Sequence, residues 1–145
     1  MKQLIIFIFL ILSFSKANEL EPLSTILKNL NSKSKQEINQ KMYYAYKRCF
    51  AFNLAAEDKF KSVVDREVGP LIEGAKKNQN IFSGLILLLK NEMKLPDTEK
   101  MIKEDIENIY LLYRNNWKNN YAKSGEEWGK SDYDDLSLCQ KIGSL

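Results

Sequence analysis

Histidine is absent from the chain. With it go the Ser–His and Cys–His nucleophilic pairs and the commonest transition-metal ligand. Two cysteines in 145 residues cannot build a structural zinc site, and they do not form a close C-x-x-C redox pair. Six glycines and three prolines leave long stretches without a helix breaker. No Asn-x-Ser/Thr acceptor occurs, so glycosylation through asparagine is not expected. No alternating apolar and polar segment is long enough to mark a strand. No cofactor and no metal is expected, and the chain is read as a non-enzyme.

The first seventeen residues carry the clearest signal that is present. Lys2 gives a short basic start, Leu4 to Leu12 is an unbroken apolar run, and Ser15-Lys16-Ala17 places small residues where a signal peptidase reads. The run is about half the ~20 residues needed to span a bilayer. Residues 1–17 are therefore expected to be a cleavable signal peptide, cut between Ala17 and Asn18. Residues 18–145 are then a single exported domain, periplasmic or extracellular, with no transmembrane segment. Loss of Lys2 and Lys16 lowers the formal charge of +3 by two, to +1, with both signs interspersed along the chain. Nothing in that pattern suits nucleic acid or an anionic membrane surface. Lys33, Lys35, Lys41, Lys47 and Arg48 read as a solvated helix face.

In an exported chain an even pair of cysteines favours a disulfide, here Cys49 with Cys139. Two reduced thiols, or bonds to another chain, are the alternatives. Apolar residues at three- and four-residue spacing predict helices almost throughout. A short helix is expected around Leu20 to Leu30. Ser34 and Glu37 form an S-x-x-E capping box ahead of a long helix, which is expected to run to about Val68 and stop at Gly69-Pro70. Its stripe is Ile38, Met42, Ala45, Cys49, Phe52, Ala56, Phe60 and Val63. The next helix starts at Pro70, with Gly74 and the polar run Lys76 to Asn80 allowing a kink or a break into two short helices, and Leu85 to Leu89 is expected to be buried. Leu95-Pro96-Asp97 reads as a turn, with Asp97 or Thr98 capping a helix that runs to about Lys123 and stops near Gly125. A final helix from Ser131 or Asp132 to Gly143 carries Cys139. The expected fold class is all-α: a compact bundle of four to five helices stapled by one disulfide.

Candidate chemistry is sparse. Asp132, Asp134 and Asp135 resemble the start of a calcium loop. However, Ser137 replaces the glycine needed at the sixth position and Gly143 the glutamate needed at the twelfth, so helix capping is the better reading. Glu126-Glu127 beside Trp128 is weak support for a sugar-cleaving site. Tyr43, Tyr46, Phe50 and Asn53 on the long helix are the candidate ligand-binding residues. With Leu85 to Leu89 they could line an apolar pocket between helices, although core packing is the simpler role. Trp128, in its loop, is the aromatic singled out as a surface contact. The leading expectation is a protein that binds another macromolecule, as an inhibitor, immunity or envelope-assembly factor. The alternative is a carrier of a small apolar ligand. An enclosed cavity would favour the carrier, and a packed core with an exposed apolar patch the macromolecular partner.

Overall fold

A capping box opens the central element. Ser34 Oγ accepts the Glu37 amide at 3.3 Å, and a Glu37 carboxylate oxygen accepts the Ser34 amide at 3.0 Å. Two of the backbone donors left free at a helix start are thereby satisfied. The computed structural model describes residues 20–63 and 66–144. The signal peptide and its cleavage site expected after Ala17 lie outside these residues. Five α-helices are described: α1 Leu23–Ile26, α2 Lys35–Lys61, α3 Gly69–Met93, α4 Glu99–Ser124 and α5 Lys130–Gly143, with no strand among the described residues. Cys49 and Cys139 are bonded, with Cα atoms 5.5 Å apart. The protein is thus an all-α bundle stapled by one disulfide. No helix among the described residues is long and apolar enough to cross a membrane.

Helix α2 is the axis of the bundle and packs against each of the other long helices. Side-chain pairs show how the chain turns around it. Glu57 accepts a hydrogen bond from Gln79 at 2.6 Å and Asn53 from Asn78 at 3.1 Å, while Lys35 pairs with Glu92 at 2.8 Å. The end of α2 thus lies beside the first half of α3, and the start of α2 beside the end of α3, so the two form an antiparallel hairpin. Helix α4 returns in the direction of α2, with Tyr43 bonded to Asp97, Lys47 to Asp105 and Arg48 to Tyr113. Its start is capped by Thr98, whose hydroxyl accepts the Met101 amide at 3.2 Å. Gly125 ends it in the left-handed conformation at φ 74°, which glycine adopts without a Cβ clash.

Several expectations are corrected. The first helix is one turn, not three, because Asn29 turns left-handed at φ 60° and a 3₁₀ turn follows at Leu30–Ser32. Helix α2 ends at Lys61, ahead of Val68; Ser62 caps it by donating its hydroxyl to the Lys59 carbonyl at 2.6 Å. Pro70 stands in the first turn of α3 as expected, where a missing amide costs nothing, and the helix begins one residue earlier, at Gly69. Gly74 leaves α3 continuous, so the chain does not break into two short helices here. The stripe is buried at its centre, at Ala45, Cys49, Phe52 and Ala56, and Val63 is exposed.

Candidate binding groove

Helices α3 and α4 both lie along α2 and their backbones rarely approach each other, although Ile86 and Leu89 of α3 share a buried cluster with Ile102 of α4. Between them runs an open groove of about 720 Å³. Phe50 and Leu54 of α2 form its floor. Ser83, Ile86 and Leu87 of α3 form one wall, and Ile102, Ile106 and Tyr110 of α4 the other. Glu99, Lys103 and Glu107 stand along the α4 rim. These three repeat at four-residue spacing, so they share one face of the helix. None of them is ion-paired among the described residues; the neighbouring pair is Lys100 with Glu104. Beneath the groove, Tyr43, Ile86, Leu89 and Ile102 form a buried cluster that Phe50 and Ile106 pack against.

The sequence alone does not place the groove, since it depends on two helices failing to meet. Leu85 to Leu89 was expected to be buried all round, and that expectation is overturned. Ile86 is 2% and Leu89 7% exposed, but Leu87 is 46% and Leu88 61% exposed. A run of five apolar residues spans more than a full helical turn, and α3 has a neighbour on only part of its circumference. Leu87 therefore becomes a groove wall.

Of the four candidate ligand residues, Phe50 lines the groove and the other three lie elsewhere. The Tyr43 hydroxyl donates to Asp97 at 3.0 Å, and the Lys47 ammonium sits 4.6 Å from its ring centre. Burial first, and then the Asp97 carboxylate, push the Tyr43 hydroxyl pKa above the usual phenol range. Tyr46 packs on Phe82 with ring centres 6.3 Å apart, and burial raises its pKa too. Asn53 is buried, donating to the Cys49 carbonyl at 2.8 Å and accepting from Asn78. These partners bind the helices to one another.

A buried polar cluster on the other side of α2 was missed at the sequence level. Arg48, read there as part of a solvated face, is fully buried, and Lys47 is nearly so. Arg48 donates to Asp135 through Nε at 3.0 Å and Nη2 at 2.5 Å, to the Tyr113 hydroxyl at 2.9 Å, and to the Glu21 carbonyl at 2.5 Å. The Tyr113 hydroxyl donates to Asp135. The second oxygen of Asp135 accepts the Leu23 amide at 2.8 Å, and Asp134 accepts the Ser24 amide at 3.1 Å. Of the three aspartates expected to cap α5, only Asp132 does so, accepting the Gly129 amide at 2.7 Å; the others cap α1. Burial alone would lower the Arg48 pKa, but Tyr113 and Asp135 outweigh it and raise it. Burial likewise drives the Tyr113 hydroxyl well above its usual range, against the pull of Arg48. The Arg48, Tyr113 and Asp135 side chains of this cluster are buried, while the Asp134–Ser24 bond is exposed.

Trp128 is not the free surface contact it was expected to be. It is partly buried against Phe52, Trp117 and Tyr133, while Tyr121 and Tyr133 are the exposed aromatics. Glu127 is ion-paired with Lys59 rather than set beside Glu126 as a catalytic pair. The Asp132 carboxyl feels the Trp117 indole N–H, yet no acceptor meets hydrogen-bond geometry at Nε1. Among the described residues, no group of three His, Cys, Asp or Glu side chains is placed to hold a metal ion. Comparison with protein-family models, with curated proteins and with solved structures finds no match for this chain.

Proposed function

We propose that the protein is exported and acts without catalysis, by binding another macromolecule in the groove between α3 and α4. The observation that carries this reading is the exposure of Leu87 on the wall of an apolar groove that opens to solvent. Exposed apolar surface of this kind, rimmed by charge, marks interaction sites on proteins that are otherwise well packed. The signal-like N-terminus and the disulfide support an oxidising compartment outside the cytosol. An inhibitor, immunity or envelope-assembly role is compatible with such a surface.

A photo-crosslinking amino acid at Leu87, in protein exported by its native host, tests the reading. Irradiation is expected to give an adduct with a macromolecule at Leu87 and none from a control at Lys141 on α5. Equal labelling at both positions, or none at Leu87, would refute it. A second reading, a carrier of a small apolar ligand, draws on the groove volume of about 720 Å³, which lies in the range of small-molecule sites. Native mass spectrometry of the exported protein separates the two, since a carrier retains a bound small molecule and a macromolecular binder does not.

A further inference from the structure

We propose that the occupant of the groove is an amphipathic helix of a partner protein, about three turns long, carrying a cation, an anion and a second cation at four-residue spacing. The inference rests on the reading of the groove as a macromolecular site and specifies its ligand. Three observations carry it. First, the α4 lining runs from Glu99 to Tyr110, about 16 Å at the rise of an α-helix. Second, the apolar surface comes from three helices that leave a seam, and a further helix laid along α3 and α4 would complete a four-helix arrangement around it. Apolar residues at i, i+3, i+4 and i+7 of such a helix would meet Leu54, Ile86, Leu87, Ile102 and Ile106.

The third observation is the rim charge, which separates a helix from a small amphiphile. Glu99, Lys103 and Glu107 alternate in sign at i, i+4 and i+8, and they are exposed and unpaired. They span about 12 Å along the axis. A fatty acid or similar molecule has one head group and can satisfy one of them. A helix bearing Lys or Arg, then Glu or Asp, then Lys or Arg at the same spacing satisfies all three, as flanking charges do between helices of coiled coils. The α3 wall, lined by Ser83, Ile86 and Leu87, adds no charge of its own. Register is thus set by α4.

Two fluorescein-labelled fifteen-residue peptides test this on the full disulfide-bonded protein. Both carry leucines at i, i+3, i+4 and i+7; one has Lys-Glu-Lys at three flanking positions spaced four residues apart, the other Glu-Lys-Glu at the same three. Fluorescence anisotropy at low salt is expected to show the Lys-Glu-Lys peptide binding about tenfold more tightly. Salt at 0.5 M should shrink that ratio towards one. The triple variant Glu99→Lys, Lys103→Glu, Glu107→Lys alters only exposed side chains and should reverse the preference. Leu87→Asp should abolish binding of both peptides. Equal affinities, no binding, or a preference that survives the triple exchange would overturn the proposal. So would a dansyl-labelled fatty acid that binds saturably where the peptides do not, or a dimer in sedimentation that Leu87→Asp dissolves. A macromolecular adduct at Leu87 with no peptide preference would refute the helical ligand alone and leave the broader reading standing.

Discussion

The two sides of α2 are built in opposite ways. Ala45, Arg48, Cys49 and Phe52 point towards one side, and Phe50 and Leu54 lie roughly half a turn away at 100° per residue. On the first side the fold gathers its disulfide, its buried ion pair and the amide clips that hold α1 to α5. On the second, two helices stand apart over apolar side chains, and no described residue covers the gap. The contrast teaches where rigidity is needed. Helices α1 and α5 have 4 and 14 residues and are too short to persist alone. They are tied covalently and ionically. Helices α3 and α4, of 25 and 26 residues, hold their shape with one face unfilled. A scaffold fixed at the back and open at the front is what the proposed binding role requires.

Removing ties from the closed side should break the contrast most. Asp135→Ala leaves Arg48 buried without its counter-ion and frees the Leu23 amide. A cost of about 3 to 5 kcal/mol is expected, read as a lower urea midpoint, and a loss below about 1 kcal/mol would show that water reaches and solvates Arg48. Reducing the disulfide, or Cys139→Ser, should cost about 2 to 5 kcal/mol, because the bond closes residues 90 apart in sequence. Hydrogen exchange should then rise first in α5; uniform exchange across the bundle would instead mean that α5 is held without the bond. On the open side, Ile86→Ala should cost about 2 to 4 kcal/mol, since this residue alone of the α3 wall is buried. A smaller loss would mean that the cavity collapses into the groove.

Local rules made much of this fold legible before the structure. Ser34 with Glu37, Thr98 and Gly125 act within one turn of chain, so their roles follow from their own neighbours. The bond between Cys49 and Cys139 followed from parity and compartment. Arg48 could not be read in this way. Its burial depends on Asp135, 87 residues later, and a charged residue on a helix gives no local sign of a distant partner. The groove was hidden for a related reason. Ile86, Leu87 and Leu88 have the same character in sequence, and only the divergence of α3 from α4 makes the first a core residue and the others surface. Phe50 was found as a ligand candidate because aromatic residues extend beyond its helix stripe. Tyr43, Tyr46 and Asn53 share that signal but meet Asp97, Phe82 and Asn78.

Two buried acids sharpen the comparison through pH, with opposite signs. Burial raises the Glu57 pKa, but hydrogen bonds from Lys61 and Gln79 and the charges of Lys61 and Lys76 outweigh it and hold the carboxyl below its usual value. Its contribution is present above the ordinary pKa of ~4.3 and is lost as pH falls through the lower folded value. Asp132 is raised, chiefly by burial and further by Asp135, against the Trp117 and Gly129 N–H groups and Arg48. Its contribution is full below its ordinary ~3.9 and is lost as pH rises through the raised value. Glu57→Gln should therefore cost up to about 1 kcal/mol at pH 7 and little at pH 3. Asp132→Asn, which keeps an acceptor for Gly129, should be neutral or slightly stabilising at pH 7. Differences in urea midpoint from the parent protein that shift in the same direction for both variants between pH 7 and pH 3 would contradict this assignment.

The smallest expected effect bears most directly on the open side. Leu87 is 46% exposed and Ile86, its neighbour in the same helix, is 2% exposed. If Leu87 belonged to the core, truncation would cost several kcal/mol through lost burial and a new cavity. On a groove wall, Leu87→Ser removes surface that folding never fully covered. The helix keeps its other contacts, and serine carries a slightly lower helix propensity than leucine. Stability should change by no more than about 0.5 kcal/mol, while crosslinking or peptide binding at the groove should fall. That separation of stability from binding is what distinguishes a recognition surface from unfinished packing. A large loss of stability in Leu87→Ser, measured by urea unfolding with circular dichroism, would mean that α3 and α4 close over Leu87 in solution and that the groove is part of the core.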